Sequence, residues 1–336
     1  MNKSIVGATA LLTVVLNATC GFAGITPLET PFARTDFRIR DPFILAERGV
    51  YYLYESGSLN GVQGVCVRRS ADLEHWTGKT QVMRVAGDTP VAMVWAPEVH
   101  KHNGVYYLFV TLTLGQGAYE PALLVAGREK FLAPRGVWVY KAESPTGPFT
   151  PVKNGPVPPR DWMTLDGSLY VEDGRPYMVF CHEWCQMKDG LMCYAPLAPD
   201  FASFTAAPTV LFSASEAMVG AGCVTDGPFL WRSEKSGALY MIWSNAMKRT
   251  DMEGSDYCIF ARTSPGGRIA GPWSKDELLF RKDGGHGMIF KAFDGRLMLT
   301  LHQPNFTPAE RMALFEIEDT GSALRIDPQY GGVQHE

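Results

Sequence analysis

Asp41, Asp166, Asp226 and Glu183 are the side chains of this sequence whose types and placement point to proton transfer. Each aspartate stands in a short motif at the head of an apolar run. Arg40-Asp41-Pro42 precedes FILA, Leu165-Asp166-Gly167 precedes SLYVE, and Thr225-Asp226-Gly227-Pro228 precedes FLWR. One aspartate beside glycine or proline is ordinary turn chemistry. Three at equivalent places are different, because carboxylates sharing a pocket repel one another and cost stability unless a function uses them. Such a set suits hydrolysis of a glycosidic bond with inversion. One carboxylate activates water, and a protonated acid held roughly 6.5–9.5 Å away donates to the leaving oxygen. A third carboxylate near the acid keeps it protonated by like-charge repulsion. Trp95 and Trp184 offer faces on which a sugar ring could stack, and His182 and His302 add polar groups for substrate binding.

The equivalence of these positions rests on an internal repeat. GVYYLYES at Gly49 returns as GVYYLFVT at Gly104, GRPYMVFCHE at Gly174, GALYMIWSN at Gly237 and GRLMLTLHQPN at Gly295. Each copy is a turn glycine followed by an apolar, aromatic-rich run of strand length, with a second such run before it, so each repeat begins with a β-hairpin. The anchors Asp41, Trp95, Asp166, Asp226 and His286 follow one another at intervals of 54, 71, 60 and 60 residues. Four short strands per unit at this period predict an all-β fold, a five-bladed β-propeller. In that fold the first strand of each blade lines the central channel and the second returns beside it. First-strand starts therefore meet second-strand ends, which supply Glu55, Thr111, His182-Glu183-Trp184, Asn245 and His302-Gln303. The longest interval, in blade two, contains an insertion from Leu114 to Arg135, the expected wall of a subsite.

In order and spacing, Arg40-Asp41-Pro42, Trp95-Ala96-Pro97-Glu98-Val99, Leu165-Asp166-Gly167-Ser168 and Gly285-His286-Gly287 resemble glycoside hydrolase family 43. That family holds five-bladed arabinofuranosidases, β-xylosidases and arabinanases. The resemblance implies an inverting, exo-acting glycosidase that releases terminal furanosyl or xylosyl units, with Asp41 as general base and Asp166 as the residue that sets the acid's pKa. The family's acid is usually a glutamate in Glu-Gly-Pro. Here that place holds Asp226, one methylene shorter, which leaves Glu183 at the end of a neighbouring strand as a rival acid. The resemblance also implies a structural calcium ion near His286, with no cofactor required for the chemistry. A sugar-binding propeller without turnover is the alternative reading, kept open by the Asp226 departure. A protein-interaction propeller ranks last, since it has no need of clustered acids.

Composition sets the remaining expectations. The net charge of −4, with mixed signs, argues against a nucleic-acid partner; the family resemblance implies a plant-type polysaccharide or oligosaccharide as the partner. The first residues read as a secretory signal peptide: Lys3, an apolar stretch from Ile5 to Leu16, and Gly21-Phe22-Ala23 at the cleavage site. The expected organisation is a leader over 1–23 and one propeller over 24–336, exported, monomeric and free of the membrane after cleavage. The six remaining cysteines are scattered through a large domain and are expected to be buried thiols. Cys181-His182-Glu183-Trp184-Cys185 lacks a second pair at zinc-finger spacing, which argues against zinc.

Overall fold

The computed structural model describes residues 29–85, 91–115, 133–249 and 253–327. The expected leader therefore lies outside the described residues, as does most of the blade-two insertion. Each repeat forms a four-stranded antiparallel sheet, and the five sheets are the blades of the predicted propeller. The inner strands are Phe43–Glu47, Val91–His102, Thr164–Glu172, Asp226–Arg232 and Gly285–Lys291. The second strands are Val50–Leu59, Val105–Leu114, Arg175–His182, Leu239–Lys248 and Leu297–Gln303. In blades one to three the connecting turns are Arg48-Gly49, Asn103-Gly104 and Asp173-Gly174, with both residues at positive φ. That mirror-image turn matches the twist of the flanking strands, which is why the repeat begins at a glycine.

Where the inner strands meet the face that carries the aspartates, each one breaks pattern at the same point. Asp41, Ala96, Asp166, Gly227 and His286 all adopt left-handed φ, between 37° and 54°. In blades two to five a register shift accompanies the break. An aligned bulge of this kind re-aims a side chain out of the pleat, here toward the shared axis. The structural equivalents thus differ by one residue from the anchors read in blades two and four. Trp95 and Asp226 stand one place before the left-handed residue, whereas Asp41, Asp166 and His286 occupy it.

The bulge amides are held by the preceding blade. The Asp166 N–H donates to Thr111 Oγ1 (2.9 Å), the His286 N–H to Ser244 Oγ (3.0 Å), and the Asp41 N–H to His302 Nδ1 (3.2 Å). Thr111, Ser244 and His302 fill one slot, the second-strand residue paired with Trp95, Asp226 and Gly285 respectively. In blade three that slot holds Cys181, paired with Leu165. The Gly227 N–H of the next blade instead donates to Asp166 Oδ2 at 2.9 Å.

Blade one is built from residues 43–84 and blade five from residues 285–326, so among the described residues no strand is shared across the seam. Closure is polar. Glu310 is fully buried and accepts from Arg38 Nε (2.9 Å), Arg38 Nη2 (3.0 Å), Arg40 Nη1 (3.3 Å) and Thr307 Oγ1 (2.6 Å). The segment carrying these arginines leads directly into Asp41. Between blades the packing is apolar and aromatic, with Phe43 and His100 against Phe229 and Trp243 between Phe212 and Phe260. Five of the six cysteines described are buried, and all six are free thiols. No helix among the described residues is long and apolar enough to cross a membrane.

Candidate active site

Asp41, Trp95, Asp166, Glu183, Trp184, Asp226 and His286 line one cavity of about 200 Å³ at the axis, together with Arg40, Thr111, Arg135 and Tyr257. The bulges explain the convergence. With Asp41, Asp166 and His286 in left-handed backbone, their side chains leave the sheet plane toward the axis. His286 Nδ1 sits between two carboxylates, 3.7 Å from Asp41 Oδ1 and 3.6 Å from Asp166 Oδ2. Gly227 is a glycine for a visible reason: its φ is 54°, and a Cβ there would lie 2.8 Å from the His286 ring.

The carboxyls lie close together, yet their proton affinities are driven apart. Burial alone would raise the pKa of Asp41, but His286, His302 and Arg40 outweigh it and hold Asp41 well below the usual carboxylate range. The cation read beside Asp41 in the sequence contributes least of these; its Nε is 3.8 Å from Asp41 Oδ1, against 3.2 Å for His302 Nδ1. Asp166 goes the other way, pushed far up by burial and by the charges of Asp226 and Asp41. Asp226 is also raised, mainly by burial, with His286 and a hydrogen bond from Tyr257 opposing. One fold thus lowers the proton affinity of one carboxyl and raises that of its neighbours, the direction of split that acid–base catalysis uses.

Glu183 caps a single helical turn, Trp184–Met187, that follows the second strand of blade three. It is buried. Arg135 Nη1 lies 2.9 Å from Glu183 Oε1, and Cys185 Sγ donates to Oε2 at 3.2 Å. Burial outweighs Arg135, so the Glu183 pKa is raised as well.

Two residues expected to bind substrate lie elsewhere. His182 does not line the cavity: it is buried, with Nε2 2.7 Å from Gln186 Oε1 and its ring stacked on Trp162 at 4.2 Å. The reason is strand alternation, since Cys181 occupies the bulge-facing slot and its neighbour must point to the other face. His302 is fully buried behind Asp41, which it holds, and it does not face the cavity. Tyr257, Arg135 and Thr111 were not singled out as site residues from sequence. Tyr257 begins the third strand of blade four and Arg135 that of blade two, strands not expected at the axis; Thr111 was legible as a second-strand end.

His286 does not fit a protein-ligated ion. Among the described residues no three His, Cys, Asp or Glu side chains are grouped to hold a metal, and His286 Nδ1 is turned to two carboxylates. An ion there would draw most of its ligands from water.

A second cavity of about 610 Å³ shares Arg40, Asp41 and Trp95 with the first and runs between blades one and two, lined also by Arg38, Glu55, Ser58, Gln63 and Met93. Asp41 lines both.

Carboxyls of split proton affinity gathered at the axis of a five-bladed propeller suit hydrolysis of a glycosidic bond. Residues 31–322 match the model of glycosyl hydrolases family 43, and the chain belongs to that family. It is 34% identical to an endo-arabinase from Bacteroides thetaiotaomicron, with a TM-score of 0.74 over 87% of this chain and 98% of that one. An α-L-arabinofuranosidase from Lactobacillus brevis, 18% identical, shares the fold with a TM-score of 0.67 over 86% of this chain and 93% of that one. A probable arabinan endo-1,5-alpha-L-arabinosidase B from Aspergillus fumigatus is 29% identical over 168 residues, 46% of this chain and 40% of that relative's length.

Proposed function

We propose that this glycoside hydrolase cleaves α-L-arabinofuranosyl linkages inside an arabinan-type polysaccharide, with inversion and outside the cytoplasm. The carrying observation is the split in proton affinity within one cavity: the pKa of Asp41 is held well below the usual carboxylate range, and those of Asp166 and Asp226 are raised. In this reading Asp41 takes a proton from water and Asp226 donates to the leaving oxygen, its pKa raised by burial and by the charge of Asp41. Asp166, the expected modulator, is itself raised by burial and by the Asp226 charge, and accepts from the Gly227 N–H beside the acid. Asp226 suits the acid better than Glu183. One oxygen of Asp226 accepts from Tyr257, and the other has no hydrogen-bond partner among the described residues. Both oxygens of Glu183 are engaged, one by a guanidinium that favours the ionised form. Trp95 and Trp184 border the cavity as sugar-stacking faces.

The larger cavity that shares Arg40, Asp41 and Trp95 with the axial one offers room for further sugar units. It favours attack within a chain over the release of terminal units expected from sequence, and the 34% identical endo-arabinase supports the same choice. Chromatography of early products from linear 1,5-α-arabinan tests it. A ladder of oligosaccharides is expected; arabinose alone would restore the exo reading. Binding of arabinan with no product from arabinan, aryl xyloside or aryl galactofuranoside would favour the non-catalytic propeller.

A further inference from the structure

We infer that Tyr257 is the positioning residue of the general acid, anchoring one oxygen of Asp226 so that the other faces the glycosidic oxygen. This deepens the proposed function and rests on Asp226 being the acid. Tyr257 Oη lies 2.9 Å from Asp226 Oδ2, and both residues line the axial cavity. The phenol cannot swing away. Its residue is 7% exposed, its backbone N–H donates to Asp283 Oδ1 at 3.3 Å, and its ring stacks on His302 at 5.9 Å. The other side is closed by Gly285, where a Cβ would fall 2.4 Å from the ring. The glycine before His286 is thereby explained: it admits the tyrosine ring.

The anchor answers the shortened acid. An aspartate has one side-chain torsion fewer than glutamate, so its reach is set by where its backbone and its bound oxygen are held. In the reaction the proton on the open oxygen of Asp226 passes to the glycosidic oxygen as the bond to the anomeric carbon breaks. A water oxygen bonds that carbon from the opposite face, and Asp41 accepts the water's proton. Asp226 is left as a carboxylate, and the Tyr257 O–H bonds that charged form more strongly than the neutral one. Tyr257 therefore both aims the acid and stabilises its product. The other groups around Asp226 are His286, Asp166, Asp41, Arg40 and Glu183, with the Cys181 thiol beyond. None of them donates a hydrogen bond to its carboxyl.

The test compares Tyr257→Phe, Asp226→Asn and Glu183→Gln on two leaving groups: the sugar hydroxyl of arabinan, and 4-nitrophenol from aryl arabino-oligosaccharides, which needs little acid assistance. Tyr257→Phe keeps the ring packing. It is expected to lower kcat on arabinan by ~10–100-fold, the size of one charge-assisted hydrogen bond, with KM nearly unchanged and a much smaller loss on the aryl substrate. Its alkaline limb should move to higher pH, because the lost donor favoured ionised Asp226. Equal losses on both substrates with an unmoved limb would mark a purely structural tyrosine and overturn the inference. If Asp226→Asn were insensitive to the leaving group while Glu183→Gln was sensitive, the assignment of the acid itself would fall, a distinct outcome. Should the Phe variant fold poorly, 3-fluorotyrosine at position 257, a stronger donor, must shift the alkaline limb the opposite way; no shift would also overturn it.

Discussion

His302 Nδ1 lies 3.2 Å from Asp41 Oδ1, across the seam between the last blade and the first. The same nitrogen is 3.2 Å from the Asp41 amide, so its protonation decides which contact it serves: bare, it accepts from the bulge N–H; protonated, it donates to the carboxylate of the assigned base. His302→Phe should fill the same space beside Tyr257 while removing that contact. Asp41 works as a base only when ionised, so activity is lost as pH falls through its pKa. Without His302 that pKa rises, and the acid limb of kcat/KM is expected to move to higher pH. An unchanged acid limb in the folded variant would show that His302 does not tune Asp41.

The seam itself predicts a stability effect. Arg38 is the main reason the Glu310 pKa lies below its ordinary value of 4.5. A depressed carboxylate stabilises the fold above its unfolded pKa and loses that contribution as pH falls through the folded one. Glu310→Gln should therefore lower stability by about 2–4 kcal/mol at neutral pH, a buried pair tempered by a half-exposed Arg38. The gap from the unchanged chain should narrow below about pH 4.5. Thermal melts at pH 7 and pH 3.5 check both statements.

Gly227→Ala introduces a Cβ 2.8 Å from His286 at a left-handed φ. The imidazole must shift away from Asp41 and Asp166. We expect kcat to fall by ~10-fold or more with a stability loss of about 1–2 kcal/mol, the scale of strain at such a φ. Kinetics paired with a denaturant titration separates the two.

Much of this arrangement could be read from sequence, because a propeller repeats one pattern five times and each copy corrects the others. Asp41 and Asp166 were legible as heads of inner strands, and so was the meeting of first-strand starts with second-strand ends. The bulge was not. It shifts blade four by one residue, so Gly227 takes the place that Asp166 has in blade three, and Asp226 reaches the cavity from the position before. His182 failed because period-two alternation decides which of two adjacent residues faces the axis. Tyr257 was hidden because its ring reaches the axis past Gly285, a pairing of distant residues that no local pattern displays.

Calcium bears on the same axis. Because His286 Nδ1 is already turned to the carboxylates of Asp41 and Asp166, we propose that the chemistry runs without the ion. Dialysis against EDTA should leave kcat within about twofold, with any calcium effect confined to melting temperature as mass action on a weak site requires. Loss of turnover restored by calcium would contradict this.

The most direct measurement of the central claim is the anomeric configuration of the first-formed product, followed by proton NMR before mutarotation. With Asp41 activating water opposite a leaving group protonated by Asp226, an α-L-arabinofuranosyl substrate must give the β-anomer first. Initial appearance of the α-anomer would mean retention, and Asp41 could not be the base of a single displacement.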